Sequence, residues 1–418
     1  MRFAPVALLA AFAAIPSIAD AFVYTRYRVV SIRVVDLGTL GGAQSHGFDI
    51  NNRGDVVGDA QDATGKFNAF MHADGLMVSL HDGSPAFTSA GASSINDSRV
   101  VVGSYARPSD GARRAFRYYP GIWVEAMNSN VAPELLFAWR TVPTSINESG
   151  QVVGWSQLIP NPALPPPPDT VDLCYERLPM GWTGVFAAPA RLFCIADPDG
   201  NNTWVDQGMP PIATDINNSG EIVGDDAGES LHSMFVLSGG VRTAVPAPAG
   251  LAELDVWGKP FHSIAAAIND YGWVAGTYGN FSYGSVSPAN RRAFVWDGVS
   301  TSAVNIGTLA GDTKSEASDL NEQRMVSGTS SGHGSVYGID LHAFIWHKDF
   351  GMRALPPLWF GPLFTTVLND CRATAMNERN RTTGVVQLTG FCYRSDGQKH
   401  AVRWDVTVAQ DISSLPFP

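Results

Sequence analysis

Apolar and polar positions along the chain follow one short pattern that keeps returning. It consists of an apolar residue, an Asn, a polar turn, two adjacent apolar residues and a Gly. The first copy is Ile50-Asn51-Asn52-Arg53-Gly54-Asp55-Val56-Val57-Gly58. Further copies begin at Ile95-Asn96, Ile146-Asn147, Ile216-Asn217, Ile268-Asn269, Leu320-Asn321 and Met376-Asn377. They close on Gly103, Gly154, Gly224, Gly276, Gly328 and Gly384.

The pattern predicts a tight hairpin. An Asn carboxamide hydrogen-bonds the backbone amides ahead of it, and a Gly ending the turn takes the left-handed conformation. Gly54, Gly150, Gly220 and Gly272 hold that position, and Asn380 is the next most tolerant residue there. Arg99 and Arg324 break the rule, which predicts turns of a different type at those two sites. The run that follows (Val56-Val57, Val101-Val102, Val152-Val153, Ile222-Val223) is apolar on consecutive positions, as in a strand covered on both faces. The closing Gly marks a place where backbone approaches backbone.

Around each hairpin other segments recur. Ala-Phe stands at Ala69-Phe70, Ala115-Phe116, Ala293-Phe294 and Ala343-Phe344, with looser forms at Met234-Phe235 and Ala401-Val402. Trp296, Trp346 and Trp404 follow at a fixed offset and are expected in the core, whereas Trp139, Trp155, Trp257, Trp273 and Trp359 fall off it. A strand resembling Val34-Val35-Asp36-Leu37-Gly38 completes the set, echoed in Val304-Asn305-Ile306-Gly307. Each unit thus offers four strands. Successive Asn residues lie 45, 51, 70, 52, 52 and 56 positions apart, close to the roughly 40–50 residues of a four-stranded propeller blade. No helical period competes. The expectation is an all-β, seven-bladed β-propeller over residues 22–418, with six or eight blades as the alternative. One terminal strand should complete a blade begun by the other end of the chain.

The longest spacing holds an insertion at about 157–204, with a proline run from Pro165 to Pro168 and both Cys174 and Cys194. Such a run is stiff and extended, which predicts a surface excursion.

Composition agrees with many short strands and turns: charged residues are only 16%, while Gly (42) and Pro (27) are frequent. A net charge of −11 argues against nucleic acid or an anionic membrane as partner. The N-terminus reads as a signal peptide, residues 1–21, with Arg2, an apolar run from Val6 to Ile15, and small-x-small sites at Ser17-Ile18-Ala19 and Ala19-Asp20-Ala21. That run is too short to span a bilayer. The expected destination is outside the inner membrane, secreted or periplasmic, where disulfides are the default state. Proximity favours Cys174–Cys194 and Cys371–Cys392, the second pair flanking the last hairpin, with Cys371 on the strand entering it and Cys392 beyond the strand leaving it.

The repeats resemble the HAF-type extracellular repeat proteins of bacteria, named for a His-Ala-Phe signature. His342-Ala343-Phe344 carries it in full, and His400-Ala401-Val402 and Arg292-Ala293-Phe294 in part. The segment Asp36-Leu37-Gly38-Thr39-Leu40-Gly41-Gly42 and the Asn hairpin also match. The resemblance implies an exported bacterial repeat protein and supplies no catalytic residues.

Candidate chemistry is sparse. Gly328-Thr329-Ser330-Ser331-Gly332 has the G-x-S-x-G form, but its first Gly is the repeat's own and no helix follows, so it reads as a loop. Asp197, Asp199 and Asn201 offer hard oxygens for Ca²⁺, without the spacing of an EF-hand loop; a plain turn is the competing reading. His342 and His347 lie on one strand and face opposite sides. Since every repeated residue serves a turn or the core, the expected function is a non-catalytic, monomeric scaffold, without cofactor, that binds a glycan or a protein. The alternative is a hydrolase or lyase acting on polysaccharide, which needs two carboxylates about 5–10 Å apart at the channel mouth.

Overall fold

The structure, a computed structural model, describes residues 23–81, 87–109, 111–124, 136–160, 177–183, 190–191, 212–225, 234–251, 262–279, 291–332, 340–358 and 370–414. The proposed signal peptide, the Cys174–Cys194 pairing and the Ca²⁺ candidate Asp197, Asp199 and Asn201 lie outside them. Among the described residues no helix is long and apolar enough to cross a membrane.

Each repeat runs as four antiparallel strands in sequence order. In the first these are Gly41–Ile50, Val56–Asp62, Phe67–Ala73 and Leu76–Ser79. The fold is a β-propeller. Its last sheet is completed by the N-terminal strand Val23–Gly38, which pairs antiparallel with Lys399–Ser414 at the other end of the chain. The termini therefore close the array, as expected.

Hydrogen bonding groups the strands into six sheets, five of four strands and one of eight. The expectation of seven separate blades is corrected accordingly. The second and third repeats share the eight-stranded sheet, because the third repeat's inner strand, Leu136–Ile146, runs back far enough for Arg140 to pair, in parallel, with Arg113 of the second. That sheet contains two of the Asn hairpins.

The adjacent apolar residues are explained by the core, which lies between repeats. Val57 packs with Ala90, Ala92 and Ile95 of the next repeat. Its neighbour Val56 packs on the opposite side with Ala375, Ala401 and Leu37 of the closing sheet. Burying both side chains contributes roughly 1.5–3 kcal/mol each. The closing Gly has an equally local cause. It pairs across strands with the Phe of Ala-Phe: Gly58 with Phe70, Gly103 with Phe116, Gly224 with Phe235, Gly276 with Phe294 and Gly328 with Phe344. At Gly58, Gly103, Gly224 and Gly328 the ring lies over the space that a Cβ would take, and at Gly276 Met234 does. Trp296 and Trp404 are buried, and Trp346 packs against the core, as their repeat position implies.

Four expectations change. Arg99 and Arg324 adopt the same left-handed conformation as the glycines, with φ of 60° and 64°. Their turns also carry the same backbone bond, from the Arg amide to the Asn carbonyl at 2.9 Å. Those turns do not differ in type; the Asn bonds override a residue preference worth roughly 1–2 kcal/mol. Asn380 is not among the positive-φ residues; in that longer turn Gly384 is, with φ 72°. The structural counterpart of Gly58 in the last repeat is consequently Gly390, which pairs with Ala373 and Val402. Cys392 lies within strand Val385–Tyr393, directly opposite Cys371 and disulfide-bonded to it, not beyond that strand. Finally, the 157–204 stretch is not solely an excursion. It supplies Arg177–Thr183 and Ala190–Arg191 as the outer strands of the third repeat, and Met180 pairs with Gly154 in the place of the missing Phe.

Candidate functional site

The seven Asn side chains form a closed ring. Each Oδ1 accepts backbone amides of its own turn, as Asn51 does from Arg53 and Asp55 and Asn321 from Gln323 and Met325. Each Nδ2 donates to the carbonyl of the next repeat's Asn: Asn51 to Asn96, Asn96 to Asn147, Asn147 to Asn217, Asn217 to Asn269, Asn269 to Asn321 and Asn321 to Asn377. Asn377 returns to Asn51 at 3.1 Å.

A second ring follows one residue later. The amide of Asn52 donates to Asp97, that of Asp97 to Glu148 and that of Glu148 to Asn218. The circuit continues through Asp270, Glu322 and Glu378 and closes on Asn52. Burial, then proximity to Glu322, pushes the Glu378 carboxyl up to about 7. Burial also raises Glu148 and Glu322.

Inside these rings runs the channel. All seven inner strands carry a β-bulge three residues before the Asn, for example between Gly47 and Asp49 and between Ala317 and Asp319. The extra residue of a bulge is re-aimed. Here the extra residues are Phe48, Ser93, Thr144, Thr214, Ala266, Ser318 and Thr374, and all of them line one cavity of about 700 Å³.

Next to the bulge, three repeats carry an aspartate. Asp49 accepts the Ser94 hydroxyl at 2.7 Å and the Ile95 amide at 2.8 Å, both from the next repeat. Asp215 accepts Ser145 and the Ile268 amide, and Asp319 accepts the Leu320 and Met376 amides. These carboxylates fasten neighbouring repeats together. Burial pushes Asp49 up to about 6, and it raises Asp215 and, most strongly, Asp319, where the charges of Asp215 and Asp49 add to the effect.

At the first and second repeats the cavity lining extends past the inner strands to form a bay. Gly91 occupies the inner strand there without a side chain, facing Asp59 and Phe48. Phe48, Phe67, Asp59, Ser104 and Arg113 line the bay. His46 stacks between Phe48 (6.2 Å) and Phe67 (5.9 Å) and holds Asp59 through Nδ1 at 2.7 Å. Arg113 donates to the Ser104 hydroxyl at 3.0 Å. The bay combines aromatic faces with a few polar groups, the usual make-up of a small-molecule site.

None of these residues stood out in the sequence. Asp49-Ile50-Asn51, Asp215-Ile216-Asn217 and Asp319-Leu320-Asn321 show the signal that was available, an Asp two positions before the Asn. The residues that did stand out have structural places. Ser330 is fully buried, donating to the Lys314 carbonyl and accepting the Leu309 amide, which leaves no nucleophile. His342 pairs with Asp312, and His400 with Asp36 in the same manner. His347 is buried, and desolvation lowers it to about 4.

These shifts predict a pH dependence of stability. Glu378 and Asp225 (both to about 7) and Asp49 (to about 6) have folded-state values raised, chiefly by burial. Their contribution is fully present below the unfolded carboxylate range near 4 and is lost as pH rises through about 7. His347 opposes this, since its buried neutral form loses stability as pH falls from about 6.5 toward 4. Three carboxylates outweigh one imidazole. Melting followed by circular dichroism should give a higher midpoint at pH 5.5 than at pH 8; the reverse order would contradict the assignment.

No protein-family model matches the chain, and no curated protein does. Solved structures resemble it in overall path. A gluconolactonase from Xanthomonas campestris aligns with a TM-score of 0.38 at 11% identity, covering 94% of this chain and 96% of that one. A puromycin-hydrolyzing peptidase from Mycobacterium tuberculosis aligns at 0.37 and 11%, covering 84% and 58% respectively. TolB from Acinetobacter baumannii aligns at 0.31 and 10%, covering 89% and 67%. At these scores the likenesses carry nothing about activity.

Proposed function

We propose that the chain is an exported, non-catalytic scaffold of the HAF-repeat type, and that the bay of its channel binds a saccharide. The observation that carries this reading is the bay itself, where Phe48 and Phe67 stand beside Asp59, Ser104 and Arg113 around a gap left by Gly91. Aromatic rings stack on the apolar faces of sugars while the polar groups take the hydroxyls. We count the eight-stranded sheet as two blades, making seven in all, on the strength of the seven hairpins that close the Asn ring. The Cys371–Cys392 disulfide agrees with an exported protein.

Support for the non-catalytic part comes from how the cavity's acids are used. Asp49 and Asp215 each accept two bonds from neighbouring repeats, Asp319 accepts one from the next repeat and one from Leu320, and Asp59 is held by His46. A glycosidase needs one free acid and one free carboxylate facing the same bond.

The test is a panel of neutral and acidic oligosaccharides titrated into the full chain by calorimetry, with product release assayed in parallel. Gly91→Leu fills the bay. A Cβ there makes ordinary contacts only, with Asp59 Cβ at 3.5 Å and Phe48 Cε2 at 3.9 Å, so no backbone need shift and the fold should accept it. Binding by the native chain and a loss of at least about 100-fold in the variant, at unchanged melting temperature, is the expected result. Equal binding by both would move the site elsewhere. Turnover abolished by Asp59→Asn would replace the scaffold with a hydrolase.

A further inference from the structure

Where the second and third repeats meet, two arginines are paired across strands. Arg113 and Arg140 are direct partners in the single parallel pairing that fuses the eight-stranded sheet. Arg113 is half-buried on the cavity wall, and Arg140 is exposed beside it. Among the described residues neither meets a carboxylate: Arg113 has only the Ser104 hydroxyl, and the side chain of Arg140 has no bond. Like charges set directly opposite across strands are destabilising. Elsewhere the chain compensates such charges. Arg291 donates to Glu316 at 2.6 Å, and Arg372 approaches the other oxygen of the same carboxylate at 3.6 Å.

The acids of the cavity do not serve this pair. Asp49, Asp215 and Asp319 are engaged by amides and hydroxyls, and Asp59 by His46. Among the described residues the guanidinium of Arg113 is the one cationic group of the cavity lining, and it has no carboxylate partner. A guanidinium presents a planar fork of donors that matches an oxyanion in two places.

We propose that the saccharide of the bay is acidic, and that the oxyanion it carries, a uronate carboxylate or a sulfate ester, seats against Arg113 and Arg140. The inference rests on the saccharide reading of the bay and narrows it. The sugar ring lies toward Phe48 and Phe67, and the acidic group reaches across toward the third repeat. Arg113 supplies the partly desolvated contact, and Arg140 steers the anion from the rim.

Three probes test this in the full chain: trigalacturonate, its methyl ester as a neutral match, and a sulfated disaccharide. Trigalacturonate or the sulfated sugar should bind at least about tenfold more tightly than the ester, and whichever is tighter identifies the anion. Arg113→Gln should remove that advantage, weakening the acidic probe at least about tenfold more than the ester, at an unchanged melting temperature. Arg140→Gln lies on the surface and cannot fail for lack of folding; it should weaken acidic probes alone, by a smaller factor that vanishes at high salt. Equal affinity for ester and acid, or losses in Arg113→Gln that fall equally on both, would overturn the proposal while leaving a neutral saccharide in place. Absence of binding by any probe, with Gly91→Leu indistinguishable from the native chain, would instead remove the saccharide reading beneath it.

Discussion

Gly328→Ala should destabilise the protein by at least about 3 kcal/mol. A Cβ at this position would enter the Glu316 carbonyl oxygen and come within 2.7 Å of Phe344 Cζ. The first obstacle is backbone of the neighbouring strand, and the second is the Phe ring seated over the Gly. Neither is the flexible end of a side chain, so the two strands must part or the ring must leave its slot. Gly58, Gly103, Gly224 and Gly390 face the same backbone obstruction. Gly91→Ala is the matched control, because its added methyl meets ordinary contacts only. Denaturant unfolding of both variants decides the point. Equal midpoints would mean that the closing Gly of the repeat is not held by strand approach.

Asn321→Asp is expected to cost about 2–4 kcal/mol at neutral pH. The substitution keeps the oxygen that accepts Gln323 and Met325, so the turn retains its bonds. It replaces the Nδ2 donor with a carboxylate oxygen facing the Asn377 carbonyl at 3.2 Å, inside a residue that is 2% exposed. A buried acceptor would then face a buried acceptor, with a charge added. Protonation restores a donor, so the deficit should shrink as pH falls from 8 to 5, more steeply than in the native chain. Unfolding midpoints across that range measure it. A variant whose deficit is independent of pH would show that the ring bond contributes little.

How much of this was legible in the sequence follows from range. The hairpin is made within a few residues, so Asn, the turn Gly and the Val-Val pair announced it and fixed the repeat. The same local logic failed where a distant partner prevails. Arg99 takes the left-handed turn, and Asp55, 44 positions away, holds its guanidinium. In the last repeat a longer turn placed Gly384 at the expected spacing, whereas the inter-strand contact belongs to Gly390. The blade count depended on one parallel pairing, Arg140 with Arg113, that no local pattern encodes. The channel was the least legible part. It takes residues from every repeat, such as Phe48, Thr144 and Ser318, and only closure of the ring brings them together.

The most direct measurement is a crystal structure of the full chain soaked with trigalacturonate. The account predicts density for a sugar ring in contact with Phe48 and Phe67 in the Gly91 gap, with its carboxylate within hydrogen-bond distance of Arg113. A sugar bound only on the outer strands, or a bay holding water alone at a concentration where calorimetry shows saturation, would contradict it.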